Sequence, residues 1–116
     1  MAALQSVGLA ALWWDKRRPL SLLALPHIHG FILNVPTPLT LGSVSIPWWR
    51  RPHWLAIKQL GGVYYNLDSK LPQPRPIGDQ EQLRSYLAGF LSHGDSQLFL
   101  VVSKDVEEDG TWLGPQ

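Results

Sequence analysis

The stretch His53-Trp54-Leu55-Ala56-Ile57-Lys58-Gln59-Leu60-Gly61-Gly62-Val63-Tyr64-Tyr65-Asn66-Leu67-Asp68-Ser69 decides how this chain folds. Two runs rich in β-branched and aromatic residues flank Gly61-Gly62, and glycine supplies the positive φ that a primed two-residue turn requires, so the stretch reads as a β-hairpin. With that turn Leu60 faces Val63, Leu55 faces Asp68 and His53 faces Lys70. Facing residues share one side of a ladder. His53 and Asp68 are therefore diagonal neighbours on the same side, roughly 7 to 8 Å apart at the backbone and nearer at their tips. Asn66 lies on that side too.

Working upstream, residues 36 to 52 hold Pro36, Pro38, Pro47 and Pro52 among Thr, Ser and Gly. That density of fixed φ angles and missing donors predicts a loop leading into His53. Before it, Gly30-Phe31-Ile32-Leu33-Asn34-Val35 is an apolar run bounded by Gly and Pro, a second strand. Leu20 to Leu25 reads as a short helical turn or a loop ahead of Pro26. Leu9-Ala10-Ala11-Leu12-Trp13-Trp14, closed by Asp15-Lys16-Arg17-Arg18-Pro19, fits a buried strand running into a polar turn. Met1 to Val7 is helix-like and stops at Gly8, yet no Ser, Thr, Asp or Asn cap precedes it, so it reads as the tail of a longer helix.

Downstream, past Pro72, Pro74 and Pro76, Asp79 is placed to cap a helix with Gln82 three residues on. Leu83, Tyr86, Leu87, Phe90 and Leu91 recur at helical spacing, and Gly94 is expected to end the element. Gln97-Leu98-Phe99-Leu100-Val101-Val102 follows as a strand, and residues 107–116 read as a polar tail. The whole predicts one α+β domain over residues 1–116, a mainly antiparallel sheet with a helix packed on it.

Composition narrows the function. The chain has 116 residues, a formal charge of +1 and no cysteine. The basic residues Lys16-Arg17-Arg18 and Arg50-Arg51 are separated without a stacking platform, which argues against nucleic acid. No run approaches the ~20 apolar residues of a membrane helix, and no basic leader opens the chain, so no membrane span and a cytosolic (cytoplasmic) setting are expected. The missing thiol excludes a disulfide scaffold, a Cys-rich zinc site and a cysteine nucleophile. His27, His29 and His53 lack an acidic third ligand at usable spacing, so neither metal nor cofactor is assigned.

What remains is the pair His53 and Asp68. A carboxylate beside an imidazole holds one ring nitrogen as N–H, favours the cation and leaves the other nitrogen free to deprotonate a nucleophile, two members of a catalytic triad. The plainer alternative is a surface His at a strand start and an Asp capping its own turn. None of the nine serines sits in a strand-to-helix elbow that would make it the nucleophile. The six tryptophans include the pairs Trp13-Trp14 and Trp48-Trp49. One of the first pair is expected in the core and one of the second at the surface, because Trp48 and Trp49 belong to the Pro-rich stretch before His53.

The run from His53-Trp54 to Tyr65-Asn66-Leu67-Asp68-Ser69, with Ile77-Gly78, Leu100-Val101-Val102, Gly8-Leu9, Trp13-Trp14-Asp15 and Leu33-Asn34, resembles the Josephin domains, papain-like cysteine deubiquitinases. The resemblance covers nearly the whole chain. It implies a partial papain-like fold, the C-terminal part of a single Josephin domain, and ubiquitin or ubiquitin chains as partner. It also implies His53 as catalytic acid and base, Asp68 as the residue that orients it, Asn66 as the rival orienter, and Trp48, Trp49 and Trp54 as ubiquitin contacts. The family's nucleophilic Cys and oxyanion-hole Gln would precede everything in this sequence. The chain is thus expected to be a truncated form, inactive alone; a non-catalytic ubiquitin-binding fragment is the alternative.

Overall fold

The computed structural model describes residues 7–41, 44–92 and 95–114, with side chains described for all of these except 37–41 and 44–52. Six strands form one sheet: β1 (Leu9–Trp13), β2 (Gly30–Leu41), β3 (Val44–Leu60), β4 (Val63–Asn66), β5 (Arg75–Gly78) and β6 (Gln97–Ser103), in the spatial order β1-β6-β2-β3-β4-β5. Every neighbouring pair is antiparallel. Among the described residues two helices complete the domain, α1 (Gln80–Leu91) and α2 (Lys104–Asp109). The fold is α+β, as the order of elements in the sequence implies.

At the deciding hairpin, Gly61 and Gly62 adopt φ of 59° and 87°, the two positive angles of a primed turn. Leu60 faces Val63 and Ile57 faces Asn66, and the Leu67 amide donates to the Ala56 carbonyl beyond the end of β4, so the expected register holds. On β3 the odd-numbered Leu55 and Ile57 are buried while Trp54, Ala56 and Lys58 are exposed. They join Phe31 and Leu33 of β2, Leu98, Leu100 and Val102 of β6 and Tyr64 of β4 in the core. The period-2 alternation thus assigns each strand a core side and an outer side.

Helix α1 covers the core side. Asp79 accepts from the Gln82 amide while the Gln82 side chain accepts from the Asp79 amide, the reciprocal cap anticipated from the sequence. Leu83 and Leu87 have no exposed surface. Arg84 donates to the Leu20 and Leu23 carbonyls, tying α1 to two single 3-10 turns, Leu20–Leu22 and Leu25–His27. The helix ends at Leu91 with Ser92 as cap; Gly94, expected to stop it, lies outside the described residues, as do residues 1–6 of the expected leading helix.

Two expectations are corrected. Residues 36–52 do not form a loop, because β2 and β3 run on as a two-stranded arm through Leu41 and Val44. β2 leaves β6 after Asn34, and β3 leaves β4 before Ile57 in the ladder, so beyond those points each arm strand has an outer edge with no strand paired to it among the described residues. Pro36 faces Pro52 and Pro38 faces Arg50, which puts three of the arm's four prolines on the same alternate ladder positions, while Pro47 falls within the register shift. A ladder phase whose amides point outward tolerates those three, and the register shift between Pro38 and Leu39 relaxes the pairing further.

The polar tail is the second correction. Ser103 caps α2 by accepting from the Val106 amide, and Gly110, at φ 71°, closes it. The chain then returns to the domain: the Ala24 amide donates to the Trp112 carbonyl, the Gly114 amide donates to the Leu22 carbonyl, and the Trp112 ring meets Trp14 edge-on at 6.2 Å. Two apolar residues, Trp112 and Leu113, outweigh the charged helix before them.

Candidate functional site

His53 occupies the core side of β3, two residues before Leu55 and opposite Val35 of β2. The alternation that buries Leu55 and Ile57 therefore turns the imidazole toward the side that carries α1. Asp68 lies just past β4, where the hairpin ladder has ended. Two local bonds hold it there. Its amide donates to the Asn66 side-chain oxygen at 2.9 Å, an Asx turn, and its carbonyl accepts from the Leu71 amide at 3.0 Å.

The two side chains meet. His53 Nε2 lies 2.7 Å from Asp68 Oδ2, with 18% and 13% of the respective side-chain surfaces exposed. A carboxylate offers only acceptors, so Nε2 is the protonated nitrogen and Nδ1 carries the free lone pair of the neutral ring. Asp68 Oδ1 accepts from the Lys70 amide at 3.0 Å. That backbone bond, followed by the bond to His53, holds the Asp68 carboxyl below its ordinary range, so the group is an anion wherever the imidazole needs one.

Asn66 spends its side-chain hydrogen bonds on Asp68 and Tyr86. It is nearly buried, its Oδ1 receives the Asp68 amide, and its Nδ2 donates to the Tyr86 hydroxyl at 2.9 Å. Of the two residues named as orienters, Asp68 is the one hydrogen-bonded to the imidazole. The sequence places Tyr86 on the apolar stripe of the helix but not at the site. A tyrosine on the apolar stripe of a helix must find a partner for its hydroxyl, and that was the available signal.

Trp54 points to the outer side, 48% exposed, with its ring 5.9 Å from Phe99. It is next to His53 in sequence but on the opposite face of the strand. The side chains of Trp48 and Trp49 lie outside the described residues. Of the first tryptophan pair, Trp14 is buried and Trp13 exposed. Among the described residues no three His, Cys, Asp or Glu side chains converge as a metal site, and no helix is long and apolar enough to cross a membrane.

The arrangement is a hydrogen-bonded imidazole–carboxylate pair, and none of the 116 residues is cysteine. Comparison with known proteins agrees with the motif. The Josephin family model matches residues 1–102. Josephin-2 of Homo sapiens is 58% identical over 113 residues, covering 97% of this chain and 60% of that protein. Josephin-2 of Mus musculus is 57% identical over the same span. A Josephin-like protein of Drosophila melanogaster is 43% identical over 121 residues, 100% of this chain and 54% of that relative. The chain spans about 60% of the length of the Josephin-2 proteins it matches.

Proposed function

We propose, from the premise that this chain belongs to the Josephin family, that it carries the acid–base half of a cysteine-type deubiquitinase site and does not cleave ubiquitin linkages by itself. The observation that carries the reading is the 2.7 Å contact between His53 Nε2 and Asp68 Oδ2, which fixes the ring and leaves Nδ1 to act. In the reaction proposed, Nδ1 takes the proton of a thiol as it attacks the isopeptide carbonyl, and Asp68 stabilises the imidazolium that results. The same nitrogen returns the proton to the departing lysine amine, and the acyl-enzyme is then hydrolysed by water that Nδ1 deprotonates. The thiol and the oxyanion donors are not supplied by these residues, and without them an imidazole–carboxylate pair has nothing to activate.

The purified chain is expected to release no fluorophore from a ubiquitin C-terminal aminomethylcoumarin substrate. Turnover that persists through purification and disappears in His53→Ala would overturn this reading. A ubiquitin-binding role without catalysis is the second reading, favoured by the solvent-exposed Trp54 on the strand that bears His53. Titration of 15N-labelled ubiquitin with the chain, and with Trp54→Ala, decides it: shifts that vanish with the tryptophan support binding, and an unchanged spectrum removes it.

A further inference from the structure

Asp68 sits where regular strand pairing has stopped, so its position is not set by the sheet. Its amide is held instead by the Asn66 side chain, and what holds Asn66 lies on another element. The amide group of Asn66 cannot be turned over, because the Asp68 N–H can only donate and therefore demands Oδ1. Nδ2 is then forced toward Tyr86, and the tyrosine oxygen must accept. Tyr86 is itself fixed on α1 by an edge-on contact with Phe90, ring centroids 5.1 Å apart.

We infer that Tyr86 is a positioning residue for the His53–Asp68 pair, acting through Asn66, so that the docking of α1 on the sheet sets the geometry of the acid–base couple. The chain of contacts runs Tyr86 Oη to Asn66 Nδ2 at 2.9 Å, Asn66 Oδ1 to Asp68 N at 2.9 Å, and Asp68 Oδ2 to His53 Nε2 at 2.7 Å. Removing the phenolic oxygen leaves a nearly buried amide donor unpaired. Asn66 then gains by turning toward water, which releases the Asp68 amide and lets the carboxylate drift from the ring. The apolar packing of the ring survives Tyr86→Phe, so a purely structural tyrosine would not transmit this change. The inference rests on the acid–base reading of His53 and Asp68.

The test is long-range 1H–15N NMR of the full labelled chain, following exchange of the His53 Nε2 proton with water in the parent, Tyr86→Phe, Asn66→Ala, the double variant and Asp68→Ala. A net hydrogen bond of about 1 kcal/mol corresponds to a several-fold change, so exchange should be about 3- to 10-fold faster in Tyr86→Phe. Asn66→Ala should be at least as fast. The double variant should be no faster than Asn66→Ala, since the tyrosine acts only through that residue. Should Tyr86→Phe fail to give a folded amide spectrum, Asn66→Ala, which leaves the Tyr86–Phe90 contact in place, carries the comparison against the parent. Parent-like exchange in the folded single variants, with Asp68→Ala still fast, defeats the relay and leaves the His53–Asp68 pair standing. Parent-like exchange in Asp68→Ala as well would remove the pair, and the proposed function with it.

Discussion

The carboxyl of Asp68 accepts from a backbone amide and an imidazole, and both bonds favour its ionised form. Its folded pKa is depressed, so its contribution to stability is present above the unfolded value and is lost as pH falls through the folded one, below about pH 4. The stability difference between the parent and Asp68→Asn should therefore be largest near neutrality and shrink on acidification through that range. Denaturant titrations at several pH values measure it, and a difference that stays constant down to acid would show that Asp68 is not held as an anion. The same residue separates two roles that sequence spacing left open. Asn66 and Asp68 both face the His53 side of the hairpin, but only the turn after β4, with its Asx bond, carries the Asp68 carboxylate to the ring.

At the scale of elements, α1 is the part that the sequence announces and the site depends on. Its cap is local chemistry, and Asp79→Ala should cost about 1 kcal/mol, seen as a lower denaturant midpoint with an unchanged slope. Its packing is worth more. Leu83 is fully buried among strand residues, and Leu83→Ala should destabilise by about 2 to 5 kcal/mol, with a loss near zero contradicting the core placement. The β2–β3 arm was hidden for a related reason. Proline density signals a break in local propensity, whereas tolerance of proline depends on whether a strand edge is open, and that is known only once the neighbours β6 and β4 are seen to stop short.

Across the molecule, the sheet is covered by α1 on one side, and the outer side carries Trp13, Trp54, Phe99, Ile32 and Ala56. Trp13 and Trp54 remain about half exposed, which is large for aromatic side chains on a sheet face. Such a surface favours association and binds hydrophobic dyes. Trp13→Ser combined with Trp54→Ser should lower dye fluorescence and shift the sedimentation profile toward monomer, while changing stability little. A parent chain that is monomeric and dye-silent would refute the expectation.

What the sequence determined by itself is whatever local geometry dictates. Gly61-Gly62 supplies the positive φ that a tight primed turn requires, the turn sets the register, and the register puts His53, Asn66 and Asp68 on one side. The Asp79 cap and the apolar stripe from Leu83 to Leu91 fix α1 in the same way. Tertiary structure alone decided the rest. The hydrogen bond of Asp68 rather than Asn66 to the imidazole, the tyrosine that engages Asn66, the pairing of the proline-rich arm and the return of Trp112 to Trp14 join residues that no periodicity links. Hydrogen-bond partners and ring contacts of that kind depend on which faces meet after the sheet has closed, and side-chain type constrains them only by requiring that a buried donor find some acceptor.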